Sequence, residues 1–263
     1  MGRARRFWMF PLTRLVVAAV VFVGPPLGYV LAAGALGYQP DVLLSSGLSA
    51  ASALLALWVV GVVIERRTLA ELGLARAGAV GQTVRGFLLG AATFTSVILL
   101  MSLAGIAHVS RHAPPSLGEV ATLLLLFLFV GISEEVSVRG LVFRIIEDAL
   151  GSWAALALSA LLFGALHLGN QHATVWAGVA IALEAGLLLA AVYMLTRSLV
   201  FVAAMHWAWN FFEGPVFGTA VSGNRGQSLL VTTTSGSGPN SPPVQASEPD
   251  VVVTRRLWPR RRA

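Results

Sequence analysis

Seven apolar windows follow one another along the chain, near residues 14–36, 46–64, 86–107, 119–133, 151–169, 173–195 and 198–213. About 20 residues of helix cross a bilayer's hydrocarbon core. Inside that core every backbone N–H and C=O must be satisfied by the protein itself. A chain with so many such windows has little choice but helices, and the expected fold is all-α, a polytopic transmembrane helical bundle of about seven or eight helices. Composition agrees, with 56% hydrophobic and only 11% charged residues among 263, against about 25% charged in a soluble domain. Mean hydropathy is +0.79. The windows at 119–133 and 198–213 are short. The first of these can continue as helix through 146, because EEVSVRGLVFRII contains few breakers. No internal repeat is evident.

Net charge is +6, with arginines at the ends and between apolar runs, as at the flanks of membrane spans. Nucleic-acid binding needs a basic face on a soluble fold, and this chain offers none. The absence of cysteine excludes disulfides, thiolate zinc sites and a cysteine nucleophile. The start, MGRARRFWMFPLTRLVVAAVVFVG, resembles a signal peptide, and VLAAGA near residues 30–35 a cleavage site. The apolar run reaches span length before that point and more spans follow, so an uncleaved first helix is expected. Arg3, Arg5, Arg6 and Arg14 place the N-terminus inside, and Arg66, Arg67 and Arg76 the second connection. Arg139, Arg144 and Arg197 fit the same scheme. Seven spans then leave Arg255, Arg256 and Arg260 to Arg262 outside, against the charge rule, which long tails obey poorly. A further re-entrant segment would equally resolve the conflict.

The expected organisation is a basic segment at 1–13, a membrane-embedded bundle at 14–216 with its motif core at 119–216, and a polar and basic tail at 217–263. That tail includes SGSGPNSPPVQASEPD and RRLWPRRR, a composition that buries little and reads as disordered.

Three polar groups interrupt the later apolar windows. Glu134 and Glu135 end the fourth, with Arg139 a turn further on. A charged group at membrane depth costs about 2.5–3.5 kcal/mol on insertion scales, and such groups are functional candidates. Glu135 and Arg139, four apart, can pair on one helix face. Glu134 is then left without a local partner, suited to exchange a proton with water. The plainer reading is an interfacial carboxylate pair bonded to arginines.

His167 lies in ALSALLFGALHLGN, one turn after Phe163, whose role reads as packing. His206 and Asn210, in AAMHWAWNFF, share a helix face. Both donate hydrogen bonds, so together they can hold an oxyanion; the plainer reading is an interhelical polar clamp. Glu184 stands alone as an accessory candidate. Glu147 and Asp148 read as solvated loop acids, and His108, His112 and His172 as residues of connections. Glu134, His167 and His206 can also supply oxygen and nitrogen ligands to zinc, leaving a position for water. There is no HExxH, and spacing leaves both the zinc and the metal-free options open.

EEVSVR (134–139), FGALH (163–167) and HWAWN (206–210) resemble the motifs EExxxR, FxxxH and HxxxN of the CAAX protease and bacteriocin-processing family of intramembrane proteases. The resemblance covers roughly residues 119–216. It implies a helical bundle around a buried, water-accessible cavity. Glu134 would activate water with help from His167, His206 and Asn210 would hold the oxyanion, and Glu135 and Arg139 would support the site. Members are commonly called metalloproteases, while a metal-free glutamate mechanism has also been argued for prenyl-protein members. In one respect the chain departs from the pattern. Similar bacterial sequences continue past a segment like FFEGPVFGTAVSG into another apolar helix, and here the chain turns polar and basic.

The expected function is therefore a CAAX-prenyl-protease-like intramembrane endopeptidase acting on a membrane-associated peptide or protein substrate within the lipid bilayer. Its alternative is a non-catalytic membrane scaffold or bacteriocin-immunity protein of the same fold. A proton-relaying transporter would predict repeat symmetry and a broken midplane helix, and neither is evident. Abundant Ala, Arg, Gly and Val suggest a bacterium of high GC content, hence an inner (plasma) membrane location. That origin argues against prenylated CAAX proteins as the native substrate.

Overall fold

Lipid tails are as apolar as leucine, so helices in a membrane associate through close approach at small residues more than through hydrophobic burial. The glycines of this chain are placed accordingly. The computed structural model describes residues 3–111, 114–170, 173–222 and 226–234.

A short helix α1 (Arg3–Met9) leads into α2 (Pro11–Ala35), which has proline in its first turn. α3 (Val42–Leu57) is capped by the Asp41 side chain and continues as a π-helical segment, Trp58–Ile64. α4 (Ala79–Leu103) follows. α5 (Leu117–Glu135) opens on a capping box between Ser116 and Glu119. It runs on through a π-helical segment, Val136–Phe143, into α6 (Arg144–Leu150). Gly151, at φ +87°, ends this helix and starts α7 (Ser152–Leu166), which closes in a tight turn at His167–Gly169. α8 (Val175–Ile181), a π-helical segment (Ala182–Gly186) and α9 (Leu187–Thr196) form one further helix. α10 (Leu199–Phe211) starts at a Ser198 cap and ends in a last π-helical segment, Phe212–Val216.

Six helical stretches among the described residues are long and apolar enough to cross a membrane: Pro11–Ala35, Val42–Ile64, Ala79–Leu103, Leu117–Leu150, Ser152–Gly169 and Val175–Thr196. The fold is the expected all-α membrane bundle. The fourth stretch has 34 residues, about 51 Å at 1.5 Å per residue. It outruns the hydrocarbon core of about 30 Å. The seventh window corresponds to α10, a shorter helix held between α4 and α5.

Glycine contacts fix that position. A Cβ at Gly86 would stand 2.2 Å from the Phe201 carbonyl oxygen, and one at Gly90 would stand 2.1 Å from that of Met205. From the α5 side, a Cβ at Gly131 would come within 2.9 Å of the Ala203 oxygen. Backbone meets backbone on both flanks of α10, leaving it little freedom to slide or rotate. Apolar side chains such as Val20, Leu88, Leu100 and Leu161 point outward, while several charges lie inside.

Four of the arginines expected to mark one side of the membrane, Arg14, Arg67, Arg144 and Arg197, meet acids at two places in the chain, Glu65 and the adjacent Glu147 and Asp148. Arg14 bonds Glu65 at 2.9 Å and Asp148 at 3.2 Å, Arg144 bonds Glu65, and Arg67 bonds Asp148 at 3.0 Å. Nearby, Arg197 holds Glu147 in a fork. Glu147 and Asp148 are thus ion-paired clamps between helices, not loop acids left to solvent. Arg139 also departs from the topological scheme. It is fully buried against Glu135 in the interior, so it marks no membrane flank.

Within the stretch expected as a tail from residue 217, Leu230–Thr234 forms strand β2. It pairs antiparallel with β1 (Ala107–Arg111), Ala107 facing Thr234 and Arg111 facing Leu230. Val and Thr dominate the paired residues, as suits a pleated ribbon. Residues 235–263, with the terminal arginine cluster, lie outside the described residues, as do His112 and His172.

Candidate functional site

Glu135 and Arg139 lie at the junction where α5 passes into its π-helical segment, and both are fully buried. Arg139 Nη1 donates to Glu135 Oε1 at 2.9 Å. Its other terminal nitrogen donates to the carbonyls of Ala185 and Gly186, at 3.3 and 3.1 Å. These carbonyls lie where the helix of α8 and α9 turns π-helical, a local widening often found at functional sites. The guanidinium also sits over the Phe163 ring, 4.6 Å from its centre. A buried arginine with so many partners is a fixed strut.

His206 Nδ1 donates to the same carboxylate oxygen, Glu135 Oε1, at 2.8 Å. His167 Nδ1 lies 2.7 Å from the carbonyl oxygen of Phe163, one turn before it. These bonds assign the N–H to Nδ1 in both rings, so each presents Nε2 elsewhere. Both Nε2 atoms face Glu134 Oε2, at 3.7 Å from His206 and 4.0 Å from His167. Glu134 Oε2 is buried and has no hydrogen-bond partner among the described residues. The FxxxH spacing serves this geometry, since residue 163 supplies both the acceptor for His167 and the ring beneath Arg139.

Beside this group lies a cavity of about 70 Å³, room for more than one water. His167, His206, Asn210, Phe163 and Trp209 line it, with Glu184, Glu213 and Ser222 at its other walls. Asn210 is 7% exposed and opens onto the cavity. Ser222 belongs to the segment leading towards β2, and its carbonyl accepts from Asn170 at 3.1 Å. On the far side of α10, the Trp207 indole donates to the Leu124 carbonyl at 2.9 Å, tying α10 to α5.

Every residue assigned to the site from sequence therefore falls in one place. Glu134, Glu135, Arg139, His167 and His206 converge within hydrogen-bonding or near-bonding distances, and Asn210 and the accessory Glu184 line the adjoining cavity. Glu213 was missed. Its signal was present as His206, Asn210 and Glu213 at i, i+4 and i+7, one helix face, but FFEGP reads as a helix end.

The arrangement can hold and polarise a water between Glu134 and the two imidazoles, and comparison with known proteins bears on what that would serve. Residues 115–212 match the Type II CAAX prenyl endopeptidase Rce1-like family. The matched segment contains all three motifs and stops one residue short of Glu213. No curated protein and no solved structure matches the chain. With the six apolar helices, the family match supports an integral multi-pass membrane protein and, in general terms, a CAAX-protease-like intramembrane endopeptidase.

The zinc option for Glu134, His167 and His206 can be compared with metal geometry. Tetrahedral zinc with bonds of about 2.0–2.1 Å sets its donor atoms roughly 3.3 Å apart. The separations of 3.7 and 4.0 Å from Glu134 Oε2 are wider. Among the described residues, no group of three or more His, Asp or Glu is arranged to hold a metal ion. As placed, these side chains are spaced more widely than the ligands of a tetrahedral zinc ion.

Proposed function

We propose that the chain is an intramembrane endopeptidase that hydrolyses a peptide bond in a membrane-associated substrate, with water activated by its own side chains. The observation that carries this is the buried, unpartnered Oε2 of Glu134 beside two imidazole Nε2 atoms. Gaps of 3.7 and 4.0 Å are too long for direct hydrogen bonds but suit a shared water. A water about 2.8 Å from both Glu134 Oε2 and His167 Nε2 makes an angle of about 90° between them.

Glu134 takes a proton from this water as its oxygen attacks the scissile carbonyl carbon, while His167 orients it. His206 and Asn210 receive the oxyanion. Donation from His206 Nε2 needs a proton on that nitrogen as well, and a carboxylate beside each ring nitrogen suits the doubly protonated ring. As the tetrahedral intermediate collapses, the proton on Glu134 passes to the leaving amine. The substrate reaches the site from the lipid bilayer, and the location proposed for the chain is a bacterial inner membrane. A scaffold or immunity protein of this fold has no use for a carboxylate oxygen held without a partner between two imidazoles.

The test is cleavage of a panel of membrane-anchored peptides by purified protein in liposomes, read by mass spectrometry, with metal content measured on the same sample. Cleavage at full rate in chelator, without stoichiometric metal, supports water held by Glu134 and His167. Loss of activity in chelator with rescue by zinc would overturn the metal-free step, and no cleavage of any peptide would count against the endopeptidase itself.

A further inference from the structure

The cavity has a second pair of carboxylates that the hydrolytic mechanism does not use. Glu184 sits in the π-helical segment Ala182–Gly186, near the middle of the Val175–Thr196 stretch, and Glu213 in the π-helical segment that ends α10. Both line the cavity that holds His206 and Asn210. Trp209, between His206 and Glu213 along α10 and its extension, lines the same cavity.

Their pairing sets them apart. Glu65, Glu135, Glu147 and Asp148 are all matched with arginines. Among the described residues, neither Glu184 nor Glu213 has a cation within ion-pairing distance. Carboxylates inside a membrane protein are costly unless matched. The cavity's own cation, a doubly protonated His206, is engaged by Glu135 and by the oxyanion, so Glu184 and Glu213 leave room for a complement from outside the described chain. A second observation is that the cavity takes polar groups of the substrate. Asn210 is more than nine-tenths buried, faces the same cavity and has no hydrogen-bond partner among the described residues.

The spacing gives the scale. From Asn210 to Glu213 the helix rises about 4.5 Å. An extended peptide advances about 3.3 Å per residue. A substrate carbonyl at His206 and Asn210 therefore brings a side chain one or two residues away to the level of Glu213, with Glu184 on another wall of the same cavity.

We infer that Glu184 and Glu213 form a subsite for a cationic side chain, arginine or lysine, within about two residues of the scissile bond. This rests on the endopeptidase reading of the neighbouring site. The contact is charge-assisted hydrogen bonding, which discriminates against neutral side chains and more strongly against acidic ones. Arginine can bridge the two carboxylates with its planar fork, and lysine can meet them as a point charge.

The experiment uses the full chain in liposomes and membrane-anchored peptides identical except for one residue. That residue is scanned as Arg, Lys, Gln or Asp over three positions on each side of the cut. At one position, wild type is expected to cut the Arg and Lys peptides about tenfold or more faster than the Gln peptide, with Asp slowest. Glu184→Gln and Glu213→Gln should each pull the Arg-to-Gln ratio towards one, Glu213→Asp should keep it, and Glu213→Arg should invert it towards Asp. A ratio near one in wild type at every position, or one undiminished in both Gln variants, overturns the subsite.

Binding of the fluorescently labelled Arg and Gln peptides separates this proposal from the reading it rests on. Arg-selective binding that Glu213→Gln abolishes, without cleavage of any peptide, upholds the subsite while the endopeptidase fails. Binding without charge preference overturns the subsite whether or not cleavage occurs.

Discussion

His206 Nδ1 donates to Glu135 Oε1 across 2.8 Å, and this bond decides which ring nitrogen is turned towards Glu134. Arg139 donates to the same oxygen at 2.9 Å, so the carboxylate is itself held. The two adjacent glutamates are thereby divided. Glu135 is buried, paired and fixed, whereas Glu134 keeps a buried oxygen, without a hydrogen-bond partner among the described residues, facing the two histidines that line the cavity.

If Glu135 positions His206, Glu135→Gln should lower kcat about 10- to 100-fold, the usual range for groups that orient a working side chain. KM should change little, because the substrate does not touch Glu135. Steady-state kinetics on any cleaved peptide reads the split. A change in KM with kcat preserved would remove Glu135 from this role.

Arg139→Met should destabilise the fold by about 3–5 kcal/mol, because it leaves a carboxylate buried without its counter-charge. Combining it with Glu135→Gln should cost clearly less than the sum of the two single changes. Thermal unfolding in detergent, run as a double-mutant cycle, supplies all four values. Simple additivity would mean that the pair is not coupled.

The motifs were legible because each is a local spacing on a helix. EEVSVR places Glu135 and Arg139 a turn apart, and FGALH places a carbonyl and a ring beneath His167. What sequence could not reveal was where helices change pitch. The π-helical segments at Val136–Phe143, Ala182–Gly186 and Phe212–Val216 follow from packing, not from any residue preference. They direct the Ala185 and Gly186 carbonyls to Arg139 and set Glu184 and Glu213 on the cavity. Charge counting likewise put Arg139 on a membrane flank, because it cannot distinguish an arginine buried against Glu135 from one exposed at a span's end. The β1–β2 pairing joins residues more than a hundred apart, and no local pattern announces it.

The glycine contacts around α10 carry a prediction about position. Gly90→Ala puts a methyl where Met205 oxygen stands 2.1 Å away, so α10 must shift and take His206 with it. Overpacking of this kind costs about 1–3 kcal/mol, and activity should fall more than stability does. Gly28→Ala, with nothing within 4 Å, is the matched control. Equal behaviour of the two variants in activity and unfolding would contradict the clamp.

Outside the spans, Thr68 donates to Glu71 Oε2 from its backbone N–H at 2.7 Å and from its hydroxyl at 2.8 Å. These bonds hold the Glu71 carboxyl below its ordinary value of 4.5. The stabilisation is present above that value and is lost as pH falls through the lower, folded-state value. The loop matters because Leu199 N–H, in the first turn of α10, donates to Gly73 oxygen at 3.0 Å. Amide exchange across Thr68–Leu74, corrected for intrinsic rates, should rise on acidification, and Glu71→Gln should flatten that dependence. An unchanged acid profile in the variant would assign the effect elsewhere.

The account turns on Glu134 as the base, and the most direct measurement is the single-turnover cleavage rate of one membrane-anchored peptide by wild type and by Glu134→Gln. The amide keeps the size of the side chain and removes its capacity to take the proton. A fall of about 10²–10⁴-fold, the usual contribution of a positioned general base, with peptide binding retained, is the predicted result. Equal rates in the two proteins would contradict the account.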